Sequence, residues 1–290
     1  MKHPTILRWH TSKAATVLLL LALLGPSSAG LTEKLTPEEV VQRHLGSIGS
    51  SEARANLKSR ILRGHGFLRI LQGGSGGLPG VVTHISEGHK SSLLFDVDNP
   101  SYRGEQIVFD GEETWVTSAL PGQRRSGMGE FVYTHNQILQ EGLLGGTLST
   151  GWVLLALDSK RPNLKYRGLK KVNERELHRL EYRPKRRGGD LQIDLFFEPE
   201  TFRHVQTTYR LTIPAQMGAT PIESARQQLT YYLLEESFDD FQEVDGLTLP
   251  ARWRIRYSRT GQPAVLWEWE ILFQSCTHNQ PIDMESFRPR

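Results

Sequence analysis

Gly73-Gly74-Ser75-Gly76-Gly77 matches the G-x-S-x-G pattern of a nucleophilic serine. That chemistry needs the serine on a sharp turn between a buried strand and a helix. Here Leu78-Pro79-Gly80 and another strand pattern follow, so the segment reads as a flexible hairpin loop. The same glycines fail as a phosphate cradle, because no helix follows to offer its N-terminus. The ten histidines include no H-E-x-x-H and no pairing with a cysteine at metal spacing. His65, His84, His89, His178 and His204 fall on or near strands and read as surface residues. Glu235-Glu236 and Asp239-Asp240 are adjacent carboxylates. Strand neighbours face opposite sides, so neither pair can act jointly, and both read as solvated edge charges. No catalytic residue, metal site or cofactor site is assigned.

The residues that do point to a function are apolar. Trp253, Ile255 and Tyr257 alternate with Arg252, Arg254 and Arg256. Val265, Trp267, Trp269, Ile271 and Phe273 alternate with Leu266, Glu268, Glu270, Leu272 and Gln274. Period-two alternation gives each strand one greasy and one mostly wet face, and the Gly-Pro turn between them makes a hairpin. Three tryptophans on one face either fill a core or wall an apolar cavity. Tyr209 belongs on the same face. At mid-chain, Glu130 to Leu144 reads as a helix, broken near Asn136, with Phe131, Ile138, Leu139, Leu143 and Leu144 as its apolar stripe. Gly142, Gly145 and Gly146 make it weak. The candidate ligand-binding set is therefore Phe131, Ile138, Leu139 and Leu143 as a lid over Tyr209, Trp253, Trp267 and Trp269.

Residues 1–29 read as an export signal. Lys2, Arg8 and Lys13 precede the apolar run Ala14 to Leu24, and Ser27-Ser28-Ala29 offers a cleavage point. The run is shorter than the ~20 residues that span a bilayer. The whole chain carries 35 basic and 32 acidic residues. Removing the leader's three basic residues leaves 32 of each, so the pI near 9.0 implies no nucleic-acid partner. Cys276 is the one cysteine. Export without an internal disulfide fits a bacterial periplasm.

The remaining residues 30–290 read as one domain. Thr36-Pro37-Glu38-Glu39 starts a helix, with Thr36 as cap and Glu39 completing a capping box. Gly49 ends it, and Ser51 to Leu57 is a short second helix. Roughly eleven strands follow: Ser59–Leu71, Val81–Glu87, Ser91–Asp98, Gln106–Phe109, Thr114–Ser118, Lys165–Val172, Leu177–Tyr182, Leu191–Phe197, Val205–Ile213, Gln227–Phe241 and the tryptophan hairpin. Arg183 to Asp190 is a basic hairpin tip, and Asp283 to Phe287 a last helical turn.

Several segments carry a family likeness. They are His44-Leu-Gly-Ser-Ile-Gly49, Leu57-Lys-Ser-Arg-Ile-Leu-Arg-Gly-His-Gly66, Leu164 to Leu180, Ile193 to Phe202, Phe241 to Pro250 and Asn279 to Phe287. In this order, behind a leader, they resemble the outer-membrane lipoprotein-sorting proteins, relatives of the LolA/LolB-type periplasmic lipoprotein carrier. The resemblance covers roughly Leu35 to Phe287. It implies a mainly β fold: a curved, incompletely closed antiparallel half-barrel with an N-terminal helix and a mid-chain helical lid. It implies a non-enzymatic carrier of lipoprotein or lipid acyl chains, working with inner- or outer-membrane transport components. A sensor or interaction module built on the same fold is the alternative. Arg63, Arg69 and Arg103 each compete for the carrier's functional arginine, and none is singled out.

Overall fold

The computed structural model describes residues 35–118, 122–185, 189–215, 229–261 and 263–289. The proposed leader, Arg186, Arg187 and Gly188 of the basic tip, and Gln227-Gln228 lie outside the described residues.

Helix α1 (Pro37–Ile48) begins as its sequence dictates. Thr36 accepts the Glu39 backbone N–H, and Glu39 accepts the Thr36 N–H at 2.7 Å. Its buried face, Val40, Val41, His44 and Ile48, follows the helical repeat. Helix α2 (Ser51–Asn56) is capped by Ser50.

Twelve antiparallel strands follow among the described residues. They are β1 (Ser59–Gln72), β2 (Gly76–Glu87), β3 (Lys90–Val97), β4 (Gly104–Phe109), β5 (Thr114–Ser118), β6 (Asn163–Val172), β7 (Arg175–Arg183), β8 (Gln192–Phe197), β9 (His204–Ile213), β10 (Thr230–Val244), β11 (Leu247–Arg259) and β12 (Val265–His278). Their spatial order is β5-β4-β3-β2-β1-β12-β11-β10-β9-β8-β7-β6. The sheet is curved but not closed, and β5 and β6 are its two free edges. Sequence places both edges beside the same stretch of chain, because residues 119–162 connect β5 to β6.

The expected mid-chain helix is shorter and more broken than its apolar stripe suggests. It consists of α3 (Gly127–Thr134), α4 (Gln137–Gln140), 3-10 turns at Gly146–Leu148 and Val153–Leu155, and α5 (Leu157–Lys160). The glycine-rich loop is also shorter than expected, since Gly76 and Gly77 already pair in β2 opposite Ile70 and Arg69. Small residues there leave room for the Phe67 ring, which a Cβ on Gly77 would meet at 2.5 Å.

Candidate functional site: the inner face and its closing segment

The hairpin alternation survives intact in three dimensions. Trp253 pairs with Ile271, Ile255 with Trp269 and Tyr257 with Trp267. These positions line the inner face, and Trp269 continues it onto Leu68 of β1. On the outer face Arg252 and Arg256 bond Glu270 and Glu268, and Arg69 reaches both acids.

Residues 126–160 cover the inner face. The Phe131 ring lies 6.0 Å from Tyr257 and stacks near Tyr232. Trp152 stacks on His204 at 4.7 Å. Phe131, Ile138, Leu139, Leu143, Tyr209, Trp253 and Trp269 all belong to one buried cluster, with Trp267 half-buried against it. The structure thus places seven of the eight candidate residues in the one large hydrophobic core, with Trp267 packed against it and in ring contact with Trp269. A cleft of about 1070 Å³ beside the β5 edge is lined instead by residues such as Leu94, Arg103, Gln106, Thr117 and Arg124.

Polar groups from the sheet and α1 hold this segment at separate points. Glu105 of β4 accepts both the N–H and the hydroxyl of Ser126, which caps α3 through Gly129 N–H. Glu236 of β10 accepts Gly145 N–H and Tyr209 O–H, each at 2.7 Å. Arg60 of β1 donates to the Thr147 carbonyl at 2.6 Å. Tyr182 donates to Glu141 at 2.5 Å. Trp152 Nε1–H donates to His44 Nε2 at 3.0 Å, which leaves His44 Nδ1–H for the Phe202 carbonyl.

Burial shifts the titration of these anchors. It raises the Glu236 carboxyl to about 7, against the lowering effect of the Gly145, Tyr209 and Trp253 donors beside it. It raises Glu105 as well. It lowers His44 to about 4 and His84 to about 3, the latter helped by Arg60, and it pulls His204 well below the usual imidazole range. Arg60 falls to about 10 and remains a cation at neutral pH.

Sequence reasoning missed these groups. Glu236 is fully buried and not a solvated edge charge, and His84, His178 and His204 are buried and not surface residues. A signal was present for Glu236, which shares the strand parity of the buried Leu234 and Phe238. Arg60 likewise shares the parity of Leu62. None of the three competing arginines faces the inner side in this way. Arg63 is exposed, Arg69 joins the outer ion pairs, and Arg103 pairs with Asp98.

A second cluster lies at the end of β12. Cys276 Sγ is 3.3 Å from His278 Nε2, and His278 Nδ1 is 2.8 Å from Asp245. Arg60 Nε–H also donates to His278 Nε2, so the ring proton sits on Nδ1 toward Asp245. Burial raises the Cys276 thiol, and Arg60 lowers it less. Ser75 is exposed in the turn between β1 and β2, a strand-to-strand setting. Among the described residues no group of three or more His, Cys, Asp or Glu side chains is placed to hold a metal ion. No described helix is long and apolar enough to cross a membrane.

No protein-family model matches the sequence, and no curated protein does. Among solved structures the chain is similar to a LolA superfamily protein from Nitrosomonas europaea. The two share 12% identity over 88% of this chain and 99% of that one, with a TM-score of 0.46. It is also similar to an outer-membrane lipoprotein-sorting protein domain from Vibrio parahaemolyticus, described as putative in that work, at 11% identity over 87% and 97% of the two chains, TM-score 0.45. A DUF1329 family protein from Desulfovibrio piger gives 10% identity over 88% and 98%, TM-score 0.44. These are likenesses of fold.

Proposed function

We propose that the chain is an exported, periplasmic, non-enzymatic carrier that takes acyl chains of a lipoprotein or another lipid between the tryptophan floor and residues 126–160. The observation that supports this reading is the construction of that cover. It is short helices, 3-10 turns and glycines spread over an aromatic face, fixed by individual polar contacts. Such a segment has little helix propensity of its own and opens at lower free energy than the sheet beneath it. In this reading cargo replaces the segment's apolar side chains on the floor. Each buried CH₂ contributes ~0.8 kcal/mol, enough for a pair of acyl chains to compete with the displaced contacts.

The test is intrinsic tryptophan fluorescence titrated with a triacylated peptide and, separately, with a fatty acid. Wild type should give a saturable change. Leu139→Glu places a charge at a buried position and should abolish it. No saturable change in wild type with either ligand overturns the carrier reading. N-terminal sequencing of the exported protein should begin at Gly30.

A further inference from the structure

The Gly145–Gly146 turn lies between two imidazoles, each close to where a Cβ would project. Both glycines have positive φ, 80° and 51°. A Cβ on Gly145 would lie 3.5 Å from His84 Cε1, and one on Gly146 only 2.7 Å from His204 Nδ1. His84 and His204 are 3% and 1% exposed, and the Nδ1 atom of each has no partner in hydrogen-bonding geometry. Unpaired buried polar atoms of this kind are uncommon and call for a reason.

The surroundings of each ring are unfavourable to a second proton. His84 on β2 faces the Arg60 cation from β1, the Trp253 ring from β11 and the Gly145 backbone. His204 on β9 faces His44 from α1, Trp152 from the segment, Phe197 from β8 and Phe238 from β10. Its Nε2 is 2.9 Å from the Thr207 hydroxyl. The acid at the turn is Glu236, which is occupied by Gly145 N–H and Tyr209 O–H.

We propose that this turn is an acid-sensitive release: protonation of His84 and His204 expels the Gly145–Trp152 stretch from the inner face and uncovers the tryptophans. The consequence for cargo rests on the carrier reading, whereas the opening itself does not. A buried imidazolium beside Arg60, or beside a second imidazole with only the Thr207 hydroxyl and the Gln206 backbone near it, has no carboxylate to neutralise it, and release of the turn admits water to it. Both rings titrate far below 6.5 when closed and near it when released. Opening therefore takes up protons and becomes more favourable as pH falls below 6.5. Glu236 opposes this. It is protonated up to about 7 in the closed form and ionises above about 4.5 once exposed, so opening releases its proton across that window. Two imidazoles against one carboxyl nearly cancel at about pH 7 and leave a net uptake approaching one proton only near about pH 5.5, so the opening constant rises about fivefold in all between the two. His44 adds to the same side when Trp152 leaves its Nε2.

Hydrogen–deuterium exchange of the ligand-free mature protein at about pH 7 and about pH 5.5, corrected for intrinsic exchange, tests the release. Amides of Gly145–Trp152 should lose protection by about fivefold between the two pH values while β10 and β11 keep theirs. The double variant His84→Gln/His204→Gln should lose this response. Glu236→Gln should steepen it to about seventyfold over the same interval. Should the double variant not fold, His84→Gln alone should flatten the response relative to wild type. Equal protection at both pH values overturns the proposal. So does loss of protection throughout the sheet at once, or an undiminished response in the histidine variants. Acid opening without ligand binding at either pH leaves the release standing and removes only the carrier reading.

Discussion

Arg60 Nη1 meets the Thr147 carbonyl at 2.6 Å, which ties the first strand to the middle of the segment that covers the inner face. The guanidinium is fully buried and, among the described residues, forms no ion pair with a carboxylate. Its other contact is His278 Nε2 at 3.0 Å. A buried cation held by neutral acceptors has two opposing effects on stability. Its hydrogen bonds are strong because the donor is charged, and its desolvation is unfavourable.

Arg60→Met separates the two effects. It keeps an unbranched side chain, removes the buried charge and leaves the Thr147 carbonyl without its donor. An orphaned buried acceptor costs about 1–3 kcal/mol locally, while relief of desolvation offsets part of that in global unfolding. The expected result is a marked rise in acrylamide quenching of the interior tryptophans with a smaller shift in the urea midpoint. Unchanged quenching would mean that Arg60 does not hold the segment.

Glu236 makes stability fall with rising pH. Its folded value, about 7, lies above the ordinary carboxyl value near 4.5. The folded form therefore holds the proton more tightly, and its contribution is present below about 4.5 and is lost as pH rises through about 7. Glu236→Gln cannot ionise and still offers one oxygen to Gly145 N–H. Above pH 8 the variant should be more stable than wild type in urea, by at most about 3 kcal/mol, since each tenfold difference in proton affinity between folded and unfolded chain is worth ~1.4 kcal/mol. Below about pH 5 the difference should vanish or reverse. A constant difference at all pH values would exclude titration at Glu236 as its source.

Much of the fold was legible because each strand obeys a local rule. Thr36 and Glu39 cap α1 through each other, and the tryptophan hairpin keeps its parity from Trp253 to Phe273. The covering segment was legible in outline. The Phe131, Ile138, Leu139 and Leu143 stripe marks its buried face, and the break at His135-Asn136 and the turns at Gly142, Gly145 and Gly146 fall where the sequence weakens the helix. The 3-10 turns and α5 beyond Leu144 carry no such periodic signal. Polar anchors were the least legible. His84 lies between Val82 and Ser86 on its face, and the opposite parity, Val81, Thr83 and Ile85, is at least as apolar. Composition therefore could not tell which face of β2 turned inward.

Cys276 should be a slow nucleophile despite its neighbours. His278 Nε2 is near enough to accept its proton, yet the same nitrogen already accepts from Arg60 Nε. Burial raises the thiol, and the thiolate is the reactive form. A disulfide-exchange reagent at about pH 7.5 should modify the native protein at least about tenfold more slowly than the same protein in urea, where the thiol regains its ordinary value near 8.5. Native reaction as fast as that of the unfolded chain would overturn this reading of the cluster.

Gly142 tests how tightly the covering segment is folded back on itself. Its φ is 76°, and its carbonyl accepts Val153 N–H at 3.2 Å, which closes the loop around the first 3-10 turn. A Cβ there would lie 1.9 Å from the Gly151 carbonyl oxygen. Backbone sits on both sides of that contact, so no flexible side chain can yield. Gly168, at a register shift in β6, supplies the control. Its φ is 79°, and a Cβ would meet nothing within 4 Å. Gly168→Ala therefore isolates the left-handed strain, about 1–2 kcal/mol. Gly142→Ala carries the same strain plus a clash relieved only by pulling Gly151 and Trp152 away from the inner face. Its loss of stability should exceed that of Gly168→Ala, and Trp152 should move off His204, seen as reduced near-ultraviolet dichroism and lost protection at Val153 N–H. Equal losses in the two variants, with the dichroism unchanged, would mean that the segment accommodates the methyl group without leaving the sheet.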